Sequence, residues 1–328
     1  MNHTGLEIVL ASYNGQTFIA EQLISLQSCV GYSDCVERVL VVDDASVDNT
    51  AAIVASFAKH DPRIVWIPAV DGRRGVVANF ARGLSLTCSP YVMLCDQDDV
   101  WAPDKISLQL ELCREYEKSH GREQPLLVFS DLQVVGAKLQ QLSPSFFSYQ
   151  KLEPEWSERL SQLLIQNVAP GCTLLLNRAL IDKALPVPPQ AVMHDWWLML
   201  VARGFGQILW LDQPLVQYRQ HGGNQIGAKQ LDWRWLFALK KHCQVAAENL
   251  KRQGRQAQIL WQRYGHDSDL QLEESDRLAL AEIGQLAGSS VRQRLCSFMR
   301  GNLRKNNILR NLGLLLVLVV WSVERDAP

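Results

Sequence analysis

Four apolar runs, at residues 6–11, 39–42, 64–67 and 91–95, alternate with segments whose apolar residues recur at helical spacing. This alternation constrains the fold more than any other feature of the chain. Runs of four to six residues rich in Val, Ile and Leu read as buried strands, while Phe18, Ile19, Leu23, Ile24 and Leu26 mark a helix over residues 18–29. Further helices are expected over 46–57, with Asp48 in the first turn, and over 75–86. Such alternation predicts a parallel sheet with helices on both faces. Ligands of such sheets bind outside the carboxyl ends of the strands. Here those ends carry Ser12-Tyr13-Asn14, Asp43-Asp44 and Asp96-Gln97-Asp98-Asp99, three polar clusters from distant parts of the chain converging on one edge.

The last cluster places three carboxylates in four positions. Like charges that close raise each other's pKa and destabilise the fold unless a positive partner sits among them. Two readings follow: a divalent-cation site, or a solvated acidic turn that Trp101-Ala102-Pro103-Asp104 completes. Convergence with the other two clusters favours the site.

Beyond it, the pattern predicts a helix over 105–118, strands over 126–130 and 132–136, and an aromatic-bearing loop over 143–154. A helix over 156–166, a strand over 171–176 and a short helix over 177–183 come next. A helix over 193–203 carries His194, Asp195, Trp196 and Trp197, and the last strands are expected at 208–211 and 215–218. From Leu231 onward the pattern is helical.

The 328 residues suffice for one large domain or two smaller ones, and a net charge of −1 argues against a nucleic-acid binder. The charge is uneven: through His221 there are 17 Lys and Arg against 24 Asp and Glu, a net −7 that leaves +6 for the remainder. The eight cysteines form no CxxC pair and no metal-ligand spacing, which fits a reducing compartment. The apolar segment at 6–11 is too short for a signal peptide and no basic region precedes it.

Five motifs, in order, give the chain a family resemblance. They are Ala11-Ser12-Tyr13-Asn14-Gly15, Val42-Asp43-Asp44-Ala45-Ser46-Val47-Asp48-Asn49-Thr50, Asp96-Gln97-Asp98-Asp99, His194-Asp195-Trp196-Trp197 and Tyr218-Arg219-Gln220-His221-Gly222-Gly223-Asn224. The set resembles glycosyltransferase family 2, over about residues 6–226, and its last two members resemble the bacterial rhamnosyltransferase-like branch. The resemblance implies a GT-A fold, an α/β architecture with a Rossmann-like mixed sheet flanked by helices. A GT-A domain over 1–226 and a helical C-terminal extension over 227–328 are therefore expected.

The resemblance also implies roles. Asp44 is placed like the carboxylate that accepts from a pyrimidine N–H, and Ser12, Tyr13 and Asn14 lie on the nucleotide side with it. Asp43, Asp44 and Ser46 are equally a helix-capping set, of which one is expected to cap and Asp44 to bind. Asp98 matches the ligand of Mg²⁺ or Mn²⁺, with Asp96 near the ribose or the metal's water. Asp99 departs from the minimal pattern and reads as support for the ligands or as a turn cap.

Asp195 matches the catalytic base of an inverting transfer, although His194 replaces the commoner Glu, and it equally suits a helix start. His221 matches a metal-ligating or phosphate-binding histidine. Arg219 is either a diphosphate contact or a structural ion pair, and Arg82 either a nucleotide contact or part of a solvated helix face. Gly171, Cys172 and Thr173, just after Asn167, resemble the acceptor-side loop. Trp196 and Trp197 are either core residues or an acceptor-sugar platform.

The donor expected on this resemblance is dTDP-L-rhamnose, with a UDP-hexose as the alternative. The acceptor is a glycan or lipid-linked oligosaccharide of a surface polysaccharide such as O-antigen or capsule. Two other classes remain: a nucleotidyltransferase, for which no basic glycine-rich loop follows the first strand, and a non-catalytic sugar-nucleotide-binding module. In the tail, Arg292, Arg294, Arg300, Arg304, Lys305 and Arg310 precede the apolar run 312–321, which is too short to cross a bilayer. A helix lying in the membrane interface fits this pattern, as does a terminal helix packed on protein. The expected location is cytoplasmic, peripheral on the inner face of the bacterial membrane.

Overall fold

The computed structural model describes residues 5–72, 74–221 and 239–320. The first half is built as the alternation dictates: β1 (Leu6–Ser12), α1 (Ile19–Gln27), α2 (Tyr32–Cys35), β2 (Val36–Asp43), α3 (Thr50–Ala58), β3 (Ile64–Ile67), α4 (Val76–Ser85) and β4 (Tyr91–Asp96). Then come β5 (Val100–Trp101), α5 (Lys105–His120), β6 (Leu126–Gly136), β7 (Gln141–Ser143), α6 (Phe146–Gln150), α7 (Leu160–Leu163) and β8 (Leu175–Asn177). The remainder is α8 (Arg178–Ala184), α9 (His194–Phe205), β9 (Gln207–Gln220) and four helices, α10 (Leu239–Tyr264), α11 (Glu274–Gly284), α12 (Val291–Arg300) and α13 (Ile308–Val320). No helix among the described residues is long and apolar enough to cross a membrane.

The strands form one mixed sheet in the order β3-β2-β1-β4-β8-β6-β9-β5, with β7 on β6. The expectation of a parallel sheet holds for β1 to β4 and for β6 beside β9. It fails at β8, which runs antiparallel to both β4 and β6, and at the short strands β5 and β7. Apolar runs report burial, and burial is the same for either strand direction.

Period-2 alternation sorts the strand residues between two cores. Val9, Leu40, Val42, Val92 and Leu94 face α4, α8 and α9, whereas Ile8, Leu10, Val41, Met93 and Cys95 face α1 and α5. At Gly83 of α4 an added Cβ would lie 2.3 Å from a Val9 methyl, so glycine lets this helix lie close on β1.

Helices α10 to α13 extend the first of these cores, contributing Leu250, Leu260, Ile283, Phe298 and Leu318. Tyr264 packs its ring on Phe205 and Trp197, and Gln256 Oε1 accepts from Val192 N. The expected boundary between residues 226 and 227 lies outside the described residues.

Several expected elements differ locally. The helix expected from Ser46 begins at Thr50, because Ala45 adopts φ 67° and Asp43 accepts from both Ser46 N and Ser46 Oγ, closing a turn first. The loop expected at 143–154 contains α6, capped by Ser145 Oγ accepting from Ser148 N. The helix expected over 156–166 divides into a 3-10 turn, Pro154–Glu158, and α7. A 3-10 turn, Gly171–Thr173, precedes β8 where one strand was expected, and the last two expected strands are one, β9, with its register shifted near Pro214.

Candidate active site

Strand register brings the polar clusters together. Ala11 pairs with Asp96 and Ser12 with Asp43, so the carboxyl ends of β1, β2 and β4 are level. The loops after β1 and β2 are then stitched to each other. Asn14 N donates to Ser46 Oγ, Gly15 N to Thr50 Oγ1, and Val47 N to Asn14 Oδ1, at 2.8–2.9 Å. Asn14 adopts φ 48°, a conformation Asn tolerates better than most residues. Asp43 therefore belongs to the turn. Asp44 instead accepts from Arg74 N at 2.6 Å and Gly75 N at 2.9 Å, tying β2 to the start of α4. The Ser12 hydroxyl is buried without a hydrogen-bond partner at the same edge.

Gln97, for which no role was expected, clamps the acidic turn. Its Oε1 accepts from Tyr13 N and its Nε2 donates to Tyr13 O, each at 2.9 Å. An amide satisfies a backbone N–H and C=O together because it carries both a donor and an acceptor. Asp96 and Asp98, on either side, are partly exposed.

Burial, then Asp98, then Asp195 raise the Asp96 carboxyl to about 7. The Gly171–Cys172 turn connects Asp195 with Asp96: a Cβ at Gly171 would lie 3.6 Å from Asp195 Cβ, and the Cys172 thiol lies within 4.8 Å of an Asp96 oxygen. Asp98 Oδ2 lies 2.8 Å from His221 Nε2, and the His221 ring packs 4.7 Å from that of Phe18.

Asp99 is fully buried and accepts from Arg219 N at 3.1 Å. Burial first, then Asp98 and Asp96, hold its carboxyl well above the usual range. Ligand atoms of Asp96, Asp99 and Cys172 come within 4.8 Å of one another. The buried Cys172 thiol, itself held protonated by burial, is a poor ligand for a hard cation. Asp98 and His221 fit Mg²⁺ or Mn²⁺ better. They are partly exposed and their ligand atoms lie 2.8 Å apart, whereas the Asp96 carboxylate, raised by burial first and by Asp98 second, groups with Asp99 and Cys172.

Arg219 is 2 % exposed and committed to structure. Nε donates to Asp98 O at 2.7 Å, one Nη to Ala137 O at 2.7 Å, the other to Glu21 Oε2 at 2.5 Å, and the guanidinium lies over Phe18. This geometry matches the ion-pair alternative. Arg82 sits in the last turn of α4 and donates to Pro68 O, about 10 Å along the helix from Gly75.

Asp195 lies in the first turn of α9, where the helix dipole favours a carboxylate. Burial outweighs that and raises it to about 6, against hydrogen bonds from Trp196 N, Gly171 N and the Asn167 side chain. His194 is buried against the Phe80 ring at 4.0 Å with no hydrogen-bond partner on either ring nitrogen, and burial lowers it to about 3. Gly171 makes the close approach expected of glycine, but towards protein: an added Cβ would lie 2.8 Å from His194 Nε2. Cys172 and Thr173 are fully buried, and Thr173 Oγ1 donates to Pro170 O. Trp196 and Trp197 face the core and donate to Leu163 O and Ala184 O, which matches the core alternative for both.

The chain is similar to known glycosyltransferases in sequence and in fold. Residues 7–120 match the family model described as Glycosyl transferase family 2. The chain is 28% identical over 231 residues to dTDP-rhamnosyl transferase RfbG of Shigella flexneri, covering 67% of this chain and 74% of that protein. It is 29% identical over 219 residues to the putative teichuronic acid biosynthesis glycosyltransferase TuaG of Bacillus subtilis, covering 65% and 78%. The crystal structure of S. aureus TarS 1–349 in complex with UDP-GlcNAc superposes with a TM-score of 0.52 at 16% identity, covering 96% of this chain and 90% of that one. The shared fold is GT-A.

Proposed function

We propose, from the premise that the chain is a glycosyltransferase of family 2 acting in polysaccharide biosynthesis, that it moves L-rhamnose from dTDP-L-rhamnose to a hydroxyl of a glycan or lipid-linked oligosaccharide. The transfer inverts the anomeric centre and takes place at the inner face of the cell membrane. One observation carries the reading. A buried carboxylate raised to about 6, Asp195, packs on Gly171 and stands within electrostatic reach of Asp96.

Asp44, Ser12 and Tyr13 line the nucleotide side, and Asp96, Asp98 and His221 the diphosphate side. A bound Mg²⁺ or Mn²⁺ supplies charge neutralisation for the departing diphosphate, with Asp98 and His221 holding it. Asp195 takes the proton of the acceptor hydroxyl as that oxygen bonds to the anomeric carbon and the bond from that carbon to the diphosphate oxygen breaks. Its raised pKa keeps it a stronger base than an exposed carboxylate while leaving it ionised at neutral pH.

Measuring nucleoside diphosphate released from dTDP-L-rhamnose and UDP-hexoses tests the reading. Release from dTDP-L-rhamnose in excess over UDP-glucose and UDP-galactose supports it; the reverse order assigns a hexosyltransferase of the same fold. Full transfer by Asp195→Asn would remove Asp195 as the base.

A further inference from the structure

The corner between α12 and α13 presents apolar side chains to solvent beside the acceptor side of the candidate site. Met299 is 72 % exposed, Ile308 80 % and Leu309 60 %. Leu312 and Val319 continue the outward stripe along α13 at helical spacing. The other half of the apolar run turns inward, since Leu314, Val317 and Leu318 belong to the core. The basic residues divide in the same way. Arg294 is buried and donates to Leu318 O, and Arg310 to Gln150 O, whereas Arg292, Arg300 and Arg304 are exposed. Arg300 pairs with Glu282, and no Asp or Glu follows Glu282 before Glu324.

This corner is fastened to the catalytic side of the molecule. Asn306 Oδ1 accepts from Gln166 Nε2 at 2.9 Å, and Asn306 Nδ2 donates to Lys151 O. The residue after Gln166 is Asn167, whose side chain hydrogen-bonds the Asp195 carboxylate. The exposed corner and the candidate base are thus joined through two adjacent residues.

We propose that the α12–α13 corner docks on an anionic lipid bilayer, with Met299, Ile308 and Leu309 entering the interface and Arg292 and Arg304 meeting the headgroups. Apolar side chains rimmed by arginines, in a stretch without acids, are complementary to a surface that is apolar beneath and negative above. A second copy of the same corner would bring its arginines against these. Because Gln166 and Asn167 link the corner to Asp195, docking sets the acceptor side at the bilayer surface, where a lipid-linked hydroxyl is presented. This last step rests on the acceptor class proposed above; the docking surface itself does not.

The test is co-sedimentation of the full chain with vesicles of phosphatidylcholine alone and of phosphatidylcholine with about 30 mol % phosphatidylglycerol. Binding is expected to the anionic vesicles, weakened by added salt. It should fall about tenfold or more in Met299→Ser/Ile308→Ser/Leu309→Ser and about fivefold for each of Arg292→Gln and Arg304→Gln. Circular dichroism and nucleoside diphosphate release with a water-soluble acceptor should be unchanged in these variants. Equal binding by wild type and variants, no binding by wild type, or a dimer in sedimentation equilibrium that the triple-serine variant dissolves would each overturn the proposal. Vesicle binding with no transfer from any donor would overturn the glycosyltransfer reading and leave the docking surface standing.

Discussion

His221 Nε2 lies 2.8 Å from Asp98 Oδ2, joining the residue after β9 to the turn after β4 across 123 positions of sequence. Neither side chain is fully buried, and Asp96, two residues before Asp98 in the chain, has its carboxyl raised by burial first and then by Asp98. A cation at this point would relieve the repulsion among the acids, and the imidazole would complete an open site. Removing the cation with EDTA should abolish transfer, and Mn²⁺ should restore it. His221→Ala should raise the Mn²⁺ concentration for half-maximal activity about 10- to 100-fold with little change in melting temperature. A Mn²⁺ titration of nucleoside diphosphate release reads this directly, and an unchanged half-saturation point would remove His221 from the metal site.

Asp195 gives a second prediction, and its sign differs between activity and stability. Burial lifts its pKa to about 6 from an ordinary 3.8. A base must be deprotonated, so kcat/KM should rise with pH and level off above about 6. For folding, the native state holds this proton more tightly than the unfolded chain, so the group's contribution to stability falls between about pH 4 and 6 and stays lost above. Asp195→Asn should therefore lower kcat about 10²- to 10⁴-fold and melt no lower than wild type at pH 7.5. Calorimetry of the two proteins at pH 7.5 decides the stability half, and a lower melting temperature for Asp195→Asn would contradict it.

Much of this arrangement was legible in the chain, and the reasons are specific. Strand ends at Ser12, Asp43 and Asp96 could be located because an apolar run stops where a polar cluster begins, and their level register follows from a parallel sheet. What escaped is pairing between side chain and backbone. Nothing in the neighbours of Gln97 tells that its amide bridges Tyr13 N and O, 84 positions away. Glu21, the partner of Arg219, likewise looks like any acid in the first turn of a helix. The direction of β8 was illegible for the same reason that its burial was legible: both directions bury the same residues.

Arg219 supplies a third test, since a strut and a phosphate contact fail differently. Its guanidinium links Asp98 O, Ala137 O and Glu21, and its backbone N–H meets the buried Asp99. Arg219→Met should destabilise the fold by about 1–3 kcal/mol, because it leaves the carbonyls of Asp98 and Ala137 without their donor while the half-exposed Glu21 returns to solvent. Urea denaturation followed by tryptophan fluorescence measures this. A phosphate contact would instead raise the donor KM at unchanged stability, and that pattern would reverse the structural assignment.

Gly171 and His194 give the last test, because one contact ties the two to the candidate base. A Cβ at residue 171 would lie 2.8 Å from His194 Nε2 and 3.6 Å from Asp195 Cβ, while Gly171 N donates to the Asp195 carboxylate. The Phe80 ring stacks on His194 at 4.0 Å and the imidazole is buried, so it has little room to retreat. Gly171→Ala should therefore displace the turn, weaken the hydrogen bond to Asp195, and cost about 1–3 kcal/mol of stability as overpacking does. Loss of that hydrogen bond would raise the Asp195 pKa further, moving the acid limb of kcat/KM above pH 6. Trimming the ring in Gly171→Ala/His194→Ala frees the space and should return the acid limb towards its wild-type position, even if stability stays low. If the double variant keeps the shifted limb, the clash with His194 is not what positions Asp195.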